Sequence, residues 1–500
     1  MSVLIKNGLL YDGSEREAIK TDIFIQGAHI ARLGDLGNLR ANNIIDAQGA
    51  VITPGLIDVN TDSDHHLTLF TNPSQEDFLR QGVTTILGGN CGISLAPFYG
   101  ESTRALIRSW HVSPDVNIDW HSTREFLKAL NRVKLGVNFG TLIGYTNLRN
   151  VFGETPRDLT EKEALSIELS IRKNIEEGAF GLSFNIEEMT KRAIPIQEFV
   201  RALKALSALK SVASFHLPHG VEVVSALQAI VEYGKELSLN IEINHFQPIE
   251  GLETAYKNAK DLIESSSAHL NINFDVFPFT RIAVSIDEMF PSWIGRVRGH
   301  ELSKTISLTS NRKRILKELS RFDGKECIIG QVPKPLQFIE GRTIKEFREH
   351  HELSSDVAAL LKLCELTDGR AILFVRSISP VLLEAFLFSP RSIIASNGLS
   401  APGREFKHER STNTFTEFFR RAKEGGGIAF EKAVAKASSI PAKKYGINDR
   451  GSIRENYFAD IVVWRENRPT HVLVNGRIAL ENGALKEMAG TPLRYKKLQK

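Results

Sequence analysis

The hydrophobic pattern changes character twice along the chain. Over residues 1 to 56, short apolar runs alternate with turn residues. Ser2 to Leu10 is followed by Tyr11-Asp12-Gly13, and Ile23-Phe24-Ile25 and His29 to Leu33 flank Gly27. Such runs bounded by glycine and aspartate predict strands and tight turns. The closing residues read the same way, with Phe458 to Trp464 and Pro469 to Asn475 around Asn475-Gly476 and Asn482-Gly483. Two β-rich ends around a long middle predict one small β-sandwich module built from residues 1–56 and 446–500.

Between them the pattern switches to apolar strands alternating with amphipathic helical stretches, the signature of βαβ units and a parallel sheet. Eight strands are expected: Leu56 to Val59, Thr84 to Leu87, Phe139 to Ile143, Phe180 to Phe184, Val212 to Phe215, Ile241 to Asn244, Asn273 to Phe277 and Ser392 to Ala395. Ala371 to Val375 is a ninth candidate without an obvious place. Glu161 to Glu177 and Ile196 to Lys210 are typical intervening helices. Eight strands with right-handed crossovers favour an α/β fold of the (β/α)8 TIM-barrel type over residues 57–445. Residues 281–350 fit no strand–helix unit and carry many charges, so they are expected to be an insertion at the barrel mouth.

In a barrel, chemistry sits where strands end. The first strand runs into Asp58-Val59-Asn60-Thr61-Asp62-Ser63-Asp64-His65-His66, and the second into Gly89-Asn90-Cys91-Gly92. The fifth reaches His216, the sixth His245 and the eighth Ser396-Asn397-Gly398. Cys91, His216 and His245 together offer the sulfur and nitrogen donors that zinc prefers, with a fourth position left open. Packing explains each of them singly just as well: a cysteine behind a strand serves as a small buried hydrophobe. Adjacent histidines such as His65 and His66 are usually solvated.

Composition narrows the classes. Lys and Arg total 63 against 59 Asp and Glu, a net charge of +4, with no clustered basic face of the kind nucleic acid requires. The basic end Arg494 to Lys500 reads as a frayed terminus. Three cysteines argue against a disulfide framework. No apolar stretch approaches the 18 or so residues of a membrane span, and the first residues lack a signal-peptide pattern. The expectation is a cytoplasmic protein acting on a small molecule, with no nucleic-acid or membrane partner and an oligomeric state that composition leaves open.

Longer motifs add a resemblance. Val51 to Asp58 (VITPGLID), Gln81-Gly82-Val83-Thr84-Thr85 leading to Gly89 through Pro97 (GNCGISLAP), Ala179 to Ser183 (AFGLS) and Asp275 to Thr280 (DVFPFT) are followed by DRGSI at Asp449 to Ile453 and FADIVV at Phe458 to Val463. In these stretches the chain resembles the amidohydrolase superfamily, and within it the D-aminoacylase (N-acyl-D-amino-acid deacylase) branch, nearly from end to end. The resemblance implies a zinc ion on Cys91, His216 and His245.

It also implies departures. The family's His-x-His after the first strand is Asn60-Thr61-Asp62, and its catalytic Asp after the eighth is Asn397. Its Gly-His-x-x-Leu-Arg histidine is Tyr145, its lysine after the sixth-strand histidine is Gln247, and its Tyr-Pro-Tyr tyrosine falls at Phe277 or Phe279. Asp62 and Asn397 thus stand at the catalytic positions, and Tyr145, Gln247 and Phe277 at the substrate-binding ones. One zinc is expected, with the second metal site lost. An amide nitrogen must be protonated to leave, and Asn397 has no proton to give near neutrality. The resulting expectation is a divergent zinc-dependent enzyme acting on an amide-type C–N bond, not ordinary D-aminoacylase. The alternatives are an inactive relative that binds a small molecule or a partner, and a purely structural zinc.

Overall fold

The computed structural model describes residues 1–99, 116, 118–153, 157–295, 297–401 and 403–496. The chain divides into two compact units: Met1–Pro278 with Val381–Pro402 and Arg410–Lys500, and Phe279–Pro380 with Gly403–Glu409.

In the first unit, strands from both ends of the chain share one nine-stranded sheet. Val51–Pro54 lies at its centre, parallel to Ser2–Leu10 on one side and antiparallel to Ile461–Arg465 on the other. Alternation along these strands turns Val3, Ile5, Ile23, Ile25, Ile52, Ile461, Val463 and Leu473 into one shared core. Residues 3–52 and 453–473 thus contribute to the same core, so the two ends of the sequence meet there.

The parallel strands follow in chain order: β1 (Leu56–Asp58), β2 (Val83–Gly88), β3 (Asn138–Thr141, resuming at Ile143–Gly144), β4 (Gly181–Asn185), β5 (Val212–His216), β6 (Asn240–Ile243), β7 (Asn271–Val276) and β8 (Ser392–Ile394). Each pairs in parallel with the next. Beyond β8, the Asn397 amide donates to the Asn60 carbonyl at 2.9 Å and the Asp62 amide to the Gly398 carbonyl at 2.8 Å. These bonds bring the eighth strand back to the first and close the ring. The strands are buried on both faces, as expected where helices cover a closed parallel sheet. In chain order these helices include α1 (Glu161–Glu176), opened by a Thr160/Glu163 capping box, α3 (Ile196–Leu209) and α4 (Val223–Leu237), while the short α2 (Ile186–Lys191) after β4 buries none of its residues.

The ninth strand candidate is explained by the second unit. Ile372–Arg376 pairs antiparallel with Arg281–Ser285 and with Cys327–Gln331. Helices close over this small sheet around Ile306, Ile329, Leu360 and Leu373, and Cys327 and Cys364 are buried in the same core. All three cysteines are free thiols. No helix among the described residues is long and apolar enough to cross a membrane.

The basic end differs from the frayed tail expected. Arg494 donates to the Glu177 carbonyl at 2.7 Å, and the Tyr495 amide donates to the Gly178 carbonyl at 2.9 Å. Capping the end of α1 and packing Tyr495 against Phe180 hold this stretch down, while residues 497–500 lie outside those described.

Candidate metal centre

Cys91 follows β2 in a left-handed conformation (φ +55°), reached through Gly89 at φ +77°. A Cβ on Gly89 would meet the Leu142 carbonyl at 2.3 Å, so only glycine lets the chain pass so close to β3. His216 is the last residue of β5. His245 stands two residues beyond β6 at φ +31°, its amide bound to Asp275 at 2.8 Å. These three βα-loops aim three donors at one point. Cys91 Sγ lies 3.4 Å from His245 Nε2 and 3.4 Å from His216 Nδ1, and the two ring nitrogens are 2.9 Å apart.

Bond lengths of about 2.3 Å to sulfur and about 2.05 Å to nitrogen, set tetrahedrally around zinc, imply separations of about 3.5 Å for S···N and about 3.3 Å for N···N. The donors therefore fit zinc with a few tenths of an ångström of adjustment. Their protonation suits it too. Burial, with His219 and Lys191 nearby, pushes His216 down to about 3, and burial with the neighbouring histidines pushes His245 well below its ordinary range. Both rings are neutral at physiological pH, with a lone pair to offer. Burial and the charges of Asp62, Asp275 and Asp64 push the Cys91 thiol well up. A thiolate there needs a cation beside it.

Acids buried beneath the trio set the frame. Asp275 accepts from Asn60 and Asn244 as well as from the His245 amide, and burial pushes its carboxyl up to about 7. Asp58 accepts two bonds from the Ser396 amide and is pushed up to about 7 for the same reason. Asn244 extends the frame to Ser214 and Asn90. Asn60 is thus spent on Asp275 through its amide nitrogen, while its Oδ1 is buried with no hydrogen-bond partner among the described residues.

The structure brings some of the expected residues together and separates others. Asp62 lies 3.5 Å from His65 Nδ1 and 3.6 Å from the Arg410 guanidinium. Burial pulls its carboxyl up, but these partners outweigh burial and hold it below the ordinary range. His65 is buried between Asp62, Asp64 and the Ile93 carbonyl, where it was expected to be solvated. Burial alone would lower it, yet the two carboxylates push it up to about 9. Gln247 donates to the Phe277 carbonyl at 3.4 Å. The Phe277 ring is buried and lies 5.7 Å from the Arg410 guanidinium. Asn397 sits at the β8 end in a left-handed conformation (φ +46°) that aids barrel closure.

Tyr145 opens the short helix Tyr145–Asn150. It is fully buried, and its hydroxyl donates to Glu198 at the start of α3, which also pairs with Arg149 at 2.9 Å. Its polar end is thus bound inside the wall, where its ring also packs against Phe184.

Arg410, Glu187 and His219 escaped the sequence reading. Arg410 is buried and acts electrostatically on both Cys91 and His245. Glu187 Oε2 lies 4.0 Å from His216 Nε2 and 3.6 Å from His219 Nδ1. The one available signal was a histidine three residues after His216, without any strand end to single it out.

Comparison with known proteins agrees with the resemblance in the motifs. The amidohydrolase family profile matches residues 378–479. D-aminoacylase from Alcaligenes xylosoxydans xylosoxydans is 27% identical over 479 residues, spanning 92% of this chain and 87% of that one. The N-acyl-D-aspartate deacylase of the same organism is 26% identical over 92% of this chain and 85% of its own. Among solved structures, a D-aminoacylase superposes with a TM-score of 0.80 at 23% identity, covering 99% of both chains. The N-acyl-D-glutamate deacylase of Bordetella bronchiseptica, complexed with zinc and a phosphonate inhibitor, gives 0.79 at 20% identity over 99% of both.

Proposed function

We propose that this chain, similar to the D-aminoacylases and matched in part by the amidohydrolase family, is a zinc-dependent hydrolase. Its substrate class is a small N-acylated molecule, and the bond cleaved is an amide-type C–N bond. The observation that carries this reading is the convergence of Cys91 Sγ, His216 Nδ1 and His245 Nε2 within 3.4 Å of one another.

Cys91, His216 and His245 would hold the zinc, which when bound would supply Lewis acidity toward a carbonyl oxygen. The chain's own residues do the remainder. Asp62 stays ionised beside His65 and Arg410, so it can accept a proton at the end of β1. His65 is the protonated member of that pair. Arg410 presents a buried guanidinium against the Phe277 ring, suited to a substrate carboxylate or carbonyl. Gln247 and Phe277 replace polar handles with an amide and an apolar face, which favours a substrate other than that of ordinary D-aminoacylase.

Asn397 favours a second reading, a binding protein without turnover, because an amide cannot shuttle a proton where an acid would. Metal analysis of protein purified without added metal, followed by release of free amine from N-acyl amino acids, cyclic amides and ureido compounds, separates the two. The hydrolase reading expects about one zinc per chain on this trio and amine release that disappears in Cys91→Ala. Bound metal with no turnover of any of these substrates would transfer the case to the binding protein.

A further inference from the structure

We propose that Glu187, His219 and the outer nitrogen of His216 form an auxiliary divalent-cation site beside the Cys91 centre. It goes beyond the function proposed above and shares only His216 with it.

The two nitrogens of the His216 ring serve different neighbours. Nδ1 points into the Cys91–His245 trio, so Nε2 points the other way, toward α2 and the loop after β5. There it meets Glu187 Oε2 at 4.0 Å, and the same oxygen lies 3.6 Å from His219 Nδ1. All three donor atoms fall within 4.8 Å of one another. Two imidazoles and one carboxylate are the His2Glu donor set that borderline divalent metals take, with remaining positions for solvent.

The division of labour on Glu187 supports the assignment. Its Oε1 accepts from Lys191, one turn along α2, while Oε2 is the oxygen nearest both histidines. Lys191 competes for the carboxylate only weakly, because its side chain is 54% exposed and such pairs are screened. The His219 ring lies on the open side, stacked on His245 and edge-on to His216, with its side chain 51% exposed. A cation arriving from solvent therefore reaches this cluster directly. The two separations to Glu187 exceed the roughly 3.0–3.5 Å of a loaded site by up to about half an ångström and the third is within 4.8 Å, so loading calls for side-chain rotation in a six-residue helix and a loop. Occupying both nitrogens of His216 requires the ring to release its last N–H proton to solvent and to bridge the cations as an imidazolate.

The test is a Co2+ titration of tag-free protein stripped with chelator, read by equilibrium stoichiometry and by the thiolate-to-cobalt absorption of the Cys91 site. Wild type should bind two equivalents, one carrying the thiolate band. His219→Asn and Glu187→Gln should each bind one, with the band intact. Cys91→Ala should lose the band and keep one equivalent, which the added His219→Asn change removes. If that band is missing from wild type while a His219-dependent equivalent persists, the Cys91 reading falls and the auxiliary site stands. A single wild-type equivalent that both outer variants leave unchanged overturns the auxiliary site, as does the absence of any bound cobalt. So does a roughly 10–100-fold weaker single equivalent in Glu187→Gln, which would make Glu187 an orienting partner of His216.

Discussion

Cys91 carries the strongest residue-scale prediction. Its thiol is driven upward by burial and three carboxylates, so the thiolate exists only with a cation beside it. Cys91→Ser keeps the size and replaces the soft donor, and bound zinc should fall by at least about tenfold at fixed free metal, measured by chelator competition. Tyr145→Phe tests whether that residue contacts substrate. Removing the hydroxyl from buried Glu198 should cost about 1–3 kcal/mol of stability and leave KM unchanged; a several-fold rise in KM would return Tyr145 to the substrate site. His65 gives a pH dependence. Its pKa is raised to about 9 in the folded protein, so its contribution is fully present below about pH 6.5 and lost as pH rises through 9. At about 1.36 kcal/mol per pH unit, this amounts to no more than about 3.4 kcal/mol. Denaturant midpoints from pH 6 to 10 should show this alkaline loss in wild type and not in His65→Gln. Legibility at this scale was uneven. The three soft donors could be read because each closes a strand, whereas Arg410 and Glu187 lie on helical stretches where a charged residue carries no signal.

At the element scale the βα-loop after β2 decides the site. Gly89 holds φ +77° with its missing Cβ 2.3 Å from the Leu142 carbonyl. Gly89→Ala combines a left-handed backbone penalty with a backbone clash, and strain of this kind costs on the order of 1–3 kcal/mol before the clash is relieved. The expected outcome is a lower thermal midpoint together with weakened metal binding, because Cys91 moves with the loop; an unchanged zinc affinity would show that β2 alone aims Cys91. The barrel strands were legible within about three residues of their observed ends, since buried parallel strands read as continuous apolar runs. Ala371 to Val375 is just as apolar, yet Ile372–Arg376 pairs in the small antiparallel sheet. Apolar character reports burial, not the sheet in which a strand is buried.

Within the first unit, a buried polar network ties the sheet of the chain ends to the barrel. Arg450 pairs with Asp460 and donates to Asn475 at 2.7 Å, while Asn138 of β3 donates to Asp460 at 3.3 Å. The DRGSI and FADIVV stretches therefore meet through their charged members, Arg450 and Asp460. Arg450→Met strands a buried carboxylate, which typically costs about 3–5 kcal/mol. The urea midpoint should fall accordingly, and adding Asp460→Leu should recover part of the loss; full additivity of the two changes would exclude coupling.

The sequence by itself determined the β-rich ends, the run of parallel strands and the residue types at their tips, because periodicity and turn chemistry act over a few neighbouring positions. Only the tertiary structure decided that Cys91, His216 and His245 bring their donors within 3.4 Å, that Tyr145 turns into the wall, and that Glu187 and His219 gather behind His216. Those outcomes depend on ring closure and on which face of each loop is buried, and both are set by contacts between residues tens to hundreds of positions apart.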